Sequence, residues 1–156
     1  MSHPAVFLDR DDTLLVDSGF IDDPDKVKLV PDAIAAVIRL HRCGYKVVVV
    51  SNQSGVARGY FDEQRLDEIH GRLQGLLERG GAKLDGIYYC PYLEGSEAKV
   101  EAYRKRSDLR KPAPGMLLLA AGERNLDLAR SWMIGDAVRD IEAGHRARCR
   151  TLLLGP

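Results

Sequence analysis

Residues 5–13 read Ala5-Val6-Phe7-Leu8-Asp9-Arg10-Asp11-Asp12-Thr13, a short apolar run that ends in acidic residues. Four consecutive apolar side chains predict a buried strand. Because side chains two positions apart in extended chain point the same way, we expect Asp9 and Asp11 to face one point in space. Two carboxylates held together need a cation or a proton between them, and oxygen ligands of this kind suit Mg²⁺.

This stretch is open to two interpretations. Asp and Thr are common in turns after strands, where their side chains bond to the local backbone. In the catalytic interpretation, one carboxylate attacks a phosphorus atom while its neighbour transfers the proton. The stretch alone favours neither interpretation, and the choice between them depends on the residues elsewhere in the chain.

Strand and helix patterns alternate along the remaining sequence. Further strands are predicted at 47–50, 86–90, 131–134 and 150–154, and helices are predicted to begin near Asp32, Asp62, Pro114 and Ala137. The segments 51–60 and 91–112 are predicted to be loops. This alternation predicts an α/β fold, a Rossmann-like doubly wound parallel sheet of about five strands with helices on both faces. A length of 156 residues fits one domain that spans residues 1–156.

Composition excludes several classes of partner. Lys plus Arg and Asp plus Glu both total 23, so no net charge attracts nucleic acid or an anionic membrane, and we expect neither partner. No apolar run approaches the roughly 20 residues that span a bilayer. Three widely spaced cysteines without a visible export signal predict reduced thiols and a cytoplasmic location.

Polar residues follow the predicted strands at the edge where such sheets bind ligands. The set consists of Asp9, Asp11, Ser51, Asn52, Asp136 and, from the long loop before the third predicted helix, Lys111. Each residue alone also fits a loop start, a solvated lysine or a helix N-cap. Together they supply the carboxylates, hydroxyl, amide and ammonium that phosphoryl transfer requires.

Four motifs resemble those of the haloacid-dehalogenase-like phosphatase superfamily. They are Asp9-Arg10-Asp11-Asp12-Thr13, Ser51, Lys111 and Gly135-Asp136-Ala137-Val138-Arg139-Asp140. Two longer segments, 51–61 and 110–116, are similar to those of the heptose-bisphosphate and histidinol-phosphate phosphatases. The resemblance covers essentially the whole chain and implies a phosphatase fold with no separate cap domain.

The resemblance implies a role for each residue. Asp9 is the expected nucleophile, and Asp11 is expected to protonate the leaving oxygen and then deprotonate the water. Ser51 and Lys111 are expected to hold the phosphoryl group. Mg²⁺ is the expected cofactor, bound by Asp9, by the backbone carbonyl of Asp11 and by Asp136. The expected substrate-side residues are Asp17, Phe20, Asn52, Gln53, Ser54, Arg58 and Arg110, and segment 17–20 is expected to close over the substrate.

The chain departs from this family in one loop and at its C-terminal end. Relatives commonly carry a zinc loop, of which only Cys90 remains here, because Tyr92, Ser107 and Leu109 occupy the other ligand positions. A structural zinc ion normally needs four N or S ligands, so we expect no zinc. We expect the loop to be ordered by packing of Tyr92, Leu93 and Tyr103, or else to be mobile. Relatives often continue past the last strand, so this strand is expected to be less covered here and could form a dimer contact. We expect a monomer or a weak homodimer.

The resulting functional hypothesis is a Mg²⁺-dependent phosphomonoesterase that acts through an aspartyl-phosphate. The expected substrate is a small phosphorylated metabolite, above all a sugar phosphate such as D-glycero-D-manno-heptose 1,7-bisphosphate. The alternatives are a histidinol-phosphate phosphatase and a non-enzymatic signalling phosphoacceptor domain. A silent binding module is disfavoured because every reactive position is filled, and a DNA 3′-phosphatase because no basic or aromatic stripe is evident.

Overall fold

A five-stranded parallel sheet forms the centre of the molecule. The computed structural model describes residues 1–17 and 19–155, and the strands within them are β1 (Ala5–Leu8), β2 (Lys46–Asn52), β3 (Gly86–Cys90), β4 (Trp132–Gly135) and β5 (Arg150–Leu153). Their order across the sheet is β3-β2-β1-β4-β5. The chain moves outward from β1 to β3 and then returns to the other side of β1, so the strand order reverses beside β1. Ligands of doubly wound folds bind at such a reversal.

The two central strands are buried on both faces, as the valine run of β2 predicts. Phe7 of β1 packs with Val48 on one face of the sheet, and Leu8 packs with Val49 on the other. All four side chains are buried, and the strands pair in parallel with Phe7 opposite Val48. This alternation fixes the register, since a shift by one residue would move every side chain to the opposite face.

Helices cover both faces of the sheet. Helices α1 (Ala33–Arg42) and α3 (Glu63–Arg79) pack on one face, and the short α2 (Gly55–Arg58) lies between β2 and α3 in the chain. Helices α4 (Gly115–Arg124) and α5 (Val138–Arg146) pack on the other face. The Asp62 carboxylate accepts a hydrogen bond from the Arg65 backbone N–H at 2.8 Å, which caps α3 as the sequence predicts. No helix of residues 1–17 and 19–155 is both long and apolar enough to cross a membrane.

The prediction of a loop at 51–60 is wrong for most of that segment. Strand β2 continues through Asn52, and α2 follows after two residues. Val56 and Ala57 are buried, and the Arg58 N–H donates to the Ser54 carbonyl at 2.9 Å. Packing therefore stabilises a helical turn that the polar, glycine-bearing sequence does not favour by itself.

Element boundaries differ from the predicted ones by one residue or a few. Strand β4 begins at Trp132, one residue later than predicted. The hydroxyl of the preceding Ser131 accepts from the Ala5 N–H at 2.9 Å and donates to the Asp127 carbonyl at 2.6 Å. Strand β5 ends at Leu153 rather than at Leu154. Such shifts are ordinary at the ends of elements.

The long connection between β3 and α4 is ordered by its own contacts. The Tyr92 and Tyr103 rings lie 5.9 Å apart, and the Leu93 N–H donates to the Tyr103 carbonyl at 3.1 Å. A 3₁₀ turn forms at Glu101–Tyr103. The structure thus brings together Tyr92, Leu93 and Tyr103, the three residues expected to pack in this loop.

Candidate active site

The floor of the site is a buried lysine that joins two carboxylates. Lys111 Nζ donates to Asp9 Oδ1 at 2.8 Å, to Asp140 Oδ1 at 2.6 Å and to the Val50 carbonyl at 2.8 Å. The three donors of the ammonium group are thereby matched by three acceptors. Lys111 is 2% exposed and Asp140 is 0% exposed. Charges at this depth are tolerated only when they are paired and hydrogen-bonded.

Asp9 stands at the end of β1, directly above this lysine. It is 6% exposed, and burial raises the pKa of its carboxyl group to about 7; the nearby Lys111 charge opposes this rise and the Asp140 charge adds to it. The Asp9 N–H donates to the Ile134 carbonyl of β4 at 3.1 Å. Asp9 is therefore held at the point where the strand order reverses.

Asp136 completes an acidic cluster with Asp9 and Asp140. Each of the three residues offers a carboxylate oxygen, and these oxygens lie within 4.8 Å of one another. Against three carboxylates, Lys111 supplies one positive charge. A hard divalent cation suits this remaining negative charge and this set of oxygen donors.

Asp140 points inward because of the local geometry of β4 and α5. Its Oδ2 accepts a hydrogen bond from the Ala137 N–H at 3.1 Å, so the carboxylate caps the start of α5 while Oδ1 binds Lys111. A Cβ atom at position 135 would collide with the Asp140 carboxylate, which explains the glycine there. Gly135 thus permits the close approach of Asp140.

Residues after β2 hold the lysine in place. The Asn52 side-chain N–H donates to the Lys111 carbonyl at 3.0 Å, and Asn52 Oδ1 accepts from the Lys111 N–H at 2.9 Å. Ser51 is 1% exposed, and its hydroxyl accepts from Gln53 Nε2 at 2.7 Å. The amide of Asn52, predicted to contact the substrate, therefore also positions the backbone of Lys111.

Asp11 faces the same cavity but has a different partner from the acidic cluster. Arg10 Nε donates to Asp11 Oδ1 at 2.8 Å, and Arg10 Nη2 donates to Asp11 Oδ2 at 3.0 Å. The Asp11 side chain is 32% exposed, whereas that of Arg10 is 1% exposed. The pair thus presents one carboxylate to the cavity from a fully buried guanidinium group.

A cavity of about 350 Å³ opens above these residues. The predicted site residues that line it are Asp9, Asp11, Asp17, Phe20, Asn52, Gln53, Ser54, Arg110 and Asp136, and further lining residues include Asp12, Ile21 and Arg139. Of the 17–20 segment predicted to close over the substrate, Ser18 lies outside the described residues. The Asp17 carboxylate accepts from the Gly19 N–H at 2.9 Å.

Three predicted residues do not line the cavity. Ser51 and Lys111 are buried, and Lys111 meets Asp9 beneath the cavity. Arg58 pairs with Glu97, donates to Ser54 Oγ at 3.0 Å and lies over the Phe20 ring at 5.5 Å. Its contacts therefore support the rim of the cavity.

Comparison with known proteins decides the family. A HAD-hydrolase-like family model matches residues 108–155. The D-glycero-beta-D-manno-heptose-1,7-bisphosphate 7-phosphatase of Photorhabdus laumondii is 44% identical over 97% of this chain and 79% of its own. The protein of the same name from Escherichia coli K12 is 40% identical over 98% of this chain and 79% of its own. The chain belongs to the haloacid-dehalogenase-like phosphatases.

Solved structures agree with the assignment of this chain to the phosphatase family. The D,D-heptose 1,7-bisphosphate phosphatase of B. bronchiseptica, complexed with magnesium and phosphate, matches with a TM-score of 0.83 and 34% identity over 96% of this chain and 79% of that chain. A chain from Mesorhizobium loti assigned as a HAD-like phosphatase matches with a TM-score of 0.89 and 40% identity. The match covers 95% of this chain and 70% of that chain.

The sequence prediction missed Asp140 as a site residue of this phosphatase. Its position was visible as the last residue of the Gly135–Asp140 motif, four residues after Asp136. The contact with Lys111 depends on the inward turn at the start of α5, which the motif does not display. Arg139, the neighbouring residue on the cavity wall, was missed as well.

Proposed function

We propose that this phosphatase removes a phosphate group from a small sugar bisphosphate, above all the 7-phosphate of D-glycero-β-D-manno-heptose 1,7-bisphosphate. The observation that carries this proposal is the ammonium group of Lys111 between Asp9 and Asp140 at the floor of an open cavity. The substrate follows from relatives that carry this name at 40–44% identity.

Mg²⁺ is the proposed cofactor, and the donor set fits it. Asp9 and Asp136 would hold the ion together with the backbone carbonyl of Asp11, whereas both oxygens of Asp140 already have partners. A bound Mg²⁺ supplies positive charge to the phosphoryl oxygens during transfer. The magnesium and phosphate found in the B. bronchiseptica enzyme support this assignment.

In the proposed first step, a carboxylate oxygen of Asp9 attacks the phosphorus atom and forms an acyl-phosphate bond. The phosphorus–oxygen bond to the sugar breaks, and the leaving oxygen takes a proton from Asp11. Lys111 binds Asp9 Oδ1 and thereby fixes which way the carboxylate faces. Its charge also stabilises negative charge that develops on the phosphoryl group.

In the proposed second step, water attacks the same phosphorus atom. Asp11 takes a proton from this water, the bond between phosphorus and the Asp9 oxygen breaks, and inorganic phosphate leaves. Both enzyme carboxylates return to their initial states. One residue can serve as acid and then as base because the first step leaves it deprotonated.

Charge on the cavity wall favours a substrate with a second anionic group. Arg110 and Arg139 both line the cavity. Among the described residues, Arg110 Nη1 is one of two buried side-chain polar atoms without a hydrogen-bond partner. Burial and the charges of Arg139 and Arg58 lower the pKa of Arg110, so a second phosphate would relieve this crowding of positive charge. The amine of histidinol phosphate would increase it.

The remaining parts of the proposal concern zinc, location and assembly. We propose an enzyme without structural zinc because Cys90 donates to the Tyr92 carbonyl at 3.9 Å and burial raises the pKa of its thiol. A cytoplasmic location suits three cysteines that are free in this structure. A monomer or a weak homodimer remains the proposed assembly.

A turnover screen with Mg²⁺ tests this function. The panel contains both anomers of heptose 1,7-bisphosphate, sugar monophosphates and histidinol phosphate. We expect the highest kcat/KM for a heptose bisphosphate, with release of one phosphate per molecule. A preference for histidinol phosphate would replace the substrate assignment, and a phosphoprotein that persists without multiple turnover would support a signalling phosphoacceptor.

A further inference from the structure

Arg10 is the largest side chain that is fully buried among the described residues. Its backbone forms part of the turn after β1, since its carbonyl accepts from the N–H groups of Leu14 and Leu15, both at 2.9 Å. Arg10 also lines the cavity, and its guanidinium group donates two hydrogen bonds to the Asp11 carboxylate. A buried guanidinium is costly, and a turn needs no such group at this position.

The far side of this guanidinium meets a histidine of α3. Arg10 Nη1 lies 3.1 Å from His70 Nε2, and because arginine only donates, His70 Nε2 accepts. His70 is 6% exposed and its ring lies 5.8 Å from that of Tyr89. The imidazole therefore carries its proton on Nδ1 and serves as a fixed acceptor.

We infer that Arg10 and His70 are positioning residues that fix the Asp11 carboxylate in one orientation at the cavity wall; this inference rests on the proposed acid–base role of Asp11. His70 fixes the rotation of the guanidinium plane, and the plane fixes both oxygens of Asp11 through two parallel hydrogen bonds. Helix α3, which covers one face of the sheet, thereby sets the direction of the proton-transfer group at the end of β1.

A role in positioning Asp11 differs measurably from a role in packing. Proton donation matters for a sugar hydroxyl, which leaves poorly without a proton, and matters little for nitrophenolate, which leaves as an anion. The ratio kcat/KM reports the steps up to phosphoryl transfer to Asp9 and excludes the later attack by water. Comparing kcat/KM for the two esters therefore isolates the proton donated by Asp11.

The test compares His70→Phe, which fills the site without accepting a hydrogen bond, with His70→Gln, which retains an acceptor. We expect His70→Phe to lower kcat/KM for the sugar phosphate by about tenfold and to leave kcat/KM for p-nitrophenyl phosphate within about twofold of wild type. His70→Gln should restore most of the loss. Tyr89→Phe, which removes a hydroxyl in the same region but leaves the Arg10 contact in place, should keep the wild-type ratio of the two kcat/KM values.

Arg10→Lys provides the second variant if His70→Phe does not fold. It keeps the positive charge but cannot bind both oxygens of Asp11, so the same selective loss is expected. Equal losses on both esters, or no loss on the sugar phosphate, would overturn the inference. Asp11→Asn separates the two levels of the account. If this variant keeps wild-type kcat/KM for the sugar phosphate, the proposed acid–base role of Asp11 fails; if it shows the selective loss and the Arg10 and His70 variants do not, only the positioning role fails.

Discussion

Two aspartates near the floor of the site have different roles: Asp140 holds Lys111, and Asp136 faces the cavity. Asp140 is fully buried and binds Lys111, whereas Asp136 lines the cavity and is not among the hydrogen-bond partners of Lys111. Removing one partner of a buried ion pair leaves an uncompensated charge, which costs far more than losing a half-buried carboxylate outside the pair. The two aspartates should therefore respond differently to the same substitution.

We predict that Asp140→Asn lowers the free energy of unfolding by about 3 kcal/mol and lowers kcat at least about tenfold. The change removes the charge that faces Lys111 and turns an amide toward either Lys111 or the Ala137 N–H. Asp136→Asn, the matched control, should lower activity and raise the Mg²⁺ requirement with little loss of stability. Urea unfolding and a Mg²⁺ titration measure both effects. Equal unfolding midpoints for Asp140→Asn and wild type would contradict this account of the floor.

His70 gives the stability of the protein a defined dependence on pH. Burial, and then the Arg10 charge, lowers the pKa of His70 to about 3 from an ordinary value of 6.5. Between these values the unfolded chain binds a proton that the folded chain does not bind. Stability contributed by neutral His70 is therefore present above pH 6.5 and is lost as the pH falls.

We predict that wild type loses about 2 kcal/mol more stability than His70→Gln when the pH falls from about 7 to about 5. The comparison cancels the titration of carboxyl groups that both proteins share. Urea unfolding at the two pH values gives the measurement. A difference between the two proteins that stays constant with pH would show that His70 can be protonated in the folded state.

At the scale of elements, a single carboxylate joins α3 to the long loop between β3 and α4. Glu63 Oε1 accepts from the Tyr89 hydroxyl and Glu63 Oε2 accepts from the Tyr103 hydroxyl, both at 2.6 Å. The hydrogen bond to Glu63 and then burial raise the pKa of Tyr103 to about 12. One charge-assisted hydrogen bond therefore joins α3 to β3 through Tyr89, and the other joins α3 to the long loop through Tyr103.

We predict that Glu63→Gln loosens this loop, because the neutral amide offers one acceptor oxygen where the carboxylate offers two. Limited proteolysis with trypsin should cleave after Arg104, Lys105 or Arg106 several-fold faster than in wild type. Glu68→Gln, on the exposed side of the same helix, is the matched control and should leave the cleavage rate unchanged. Equal cleavage rates for all three proteins would assign the order of the loop to its other contacts.

The absence of zinc is a prediction about this same loop. We expect elemental analysis of purified protein to find no stoichiometric zinc, and a zinc-selective chelator to leave folding and Mg²⁺-supported activity intact. EDTA should stop activity until Mg²⁺ is restored. About one zinc ion per chain, lost together with thermal stability on chelation, would contradict the prediction.

At the scale of the whole molecule, the sequence predicts the parallel sheet and the residues that lie at its carboxyl edge, because both depend on strand pattern and strand order. The valines at 47–50 predict a central strand, and parallel strands bring Asp9 and Asp136 to one edge, where the structure places them. The polar sequence after Ser51 does not reveal α2, because burial of Val56 and Ala57 overrides local preference. Pattern predicts which residues share an edge of the sheet.

The sequence pattern does not predict the directions of individual side chains or the contacts that they make. Arg10 lies between two predicted site residues, yet its buried side chain is hydrogen-bonded to His70, which is 60 positions away in the sequence. Arg58 reads as a substrate ligand but pairs with Glu97 at the rim, and the side-chain amide of Asn52 binds the backbone of Lys111. These contacts arise from tertiary packing, so they are visible only once the fold is complete.

The central claim is that Asp9 is the nucleophile of a Mg²⁺-dependent phosphatase, and steady-state turnover of heptose 1,7-bisphosphate by wild type and Asp9→Asn tests it most directly. The substitution keeps the shape of the side chain and removes its charge. We predict multiple turnovers by wild type, a loss of at least about a thousandfold in Asp9→Asn, and unchanged far-ultraviolet circular dichroism. Asp17→Asn, which alters a carboxylate at the rim, should keep far more activity. A folded Asp9→Asn protein with activity within about tenfold of wild type would contradict the covalent mechanism.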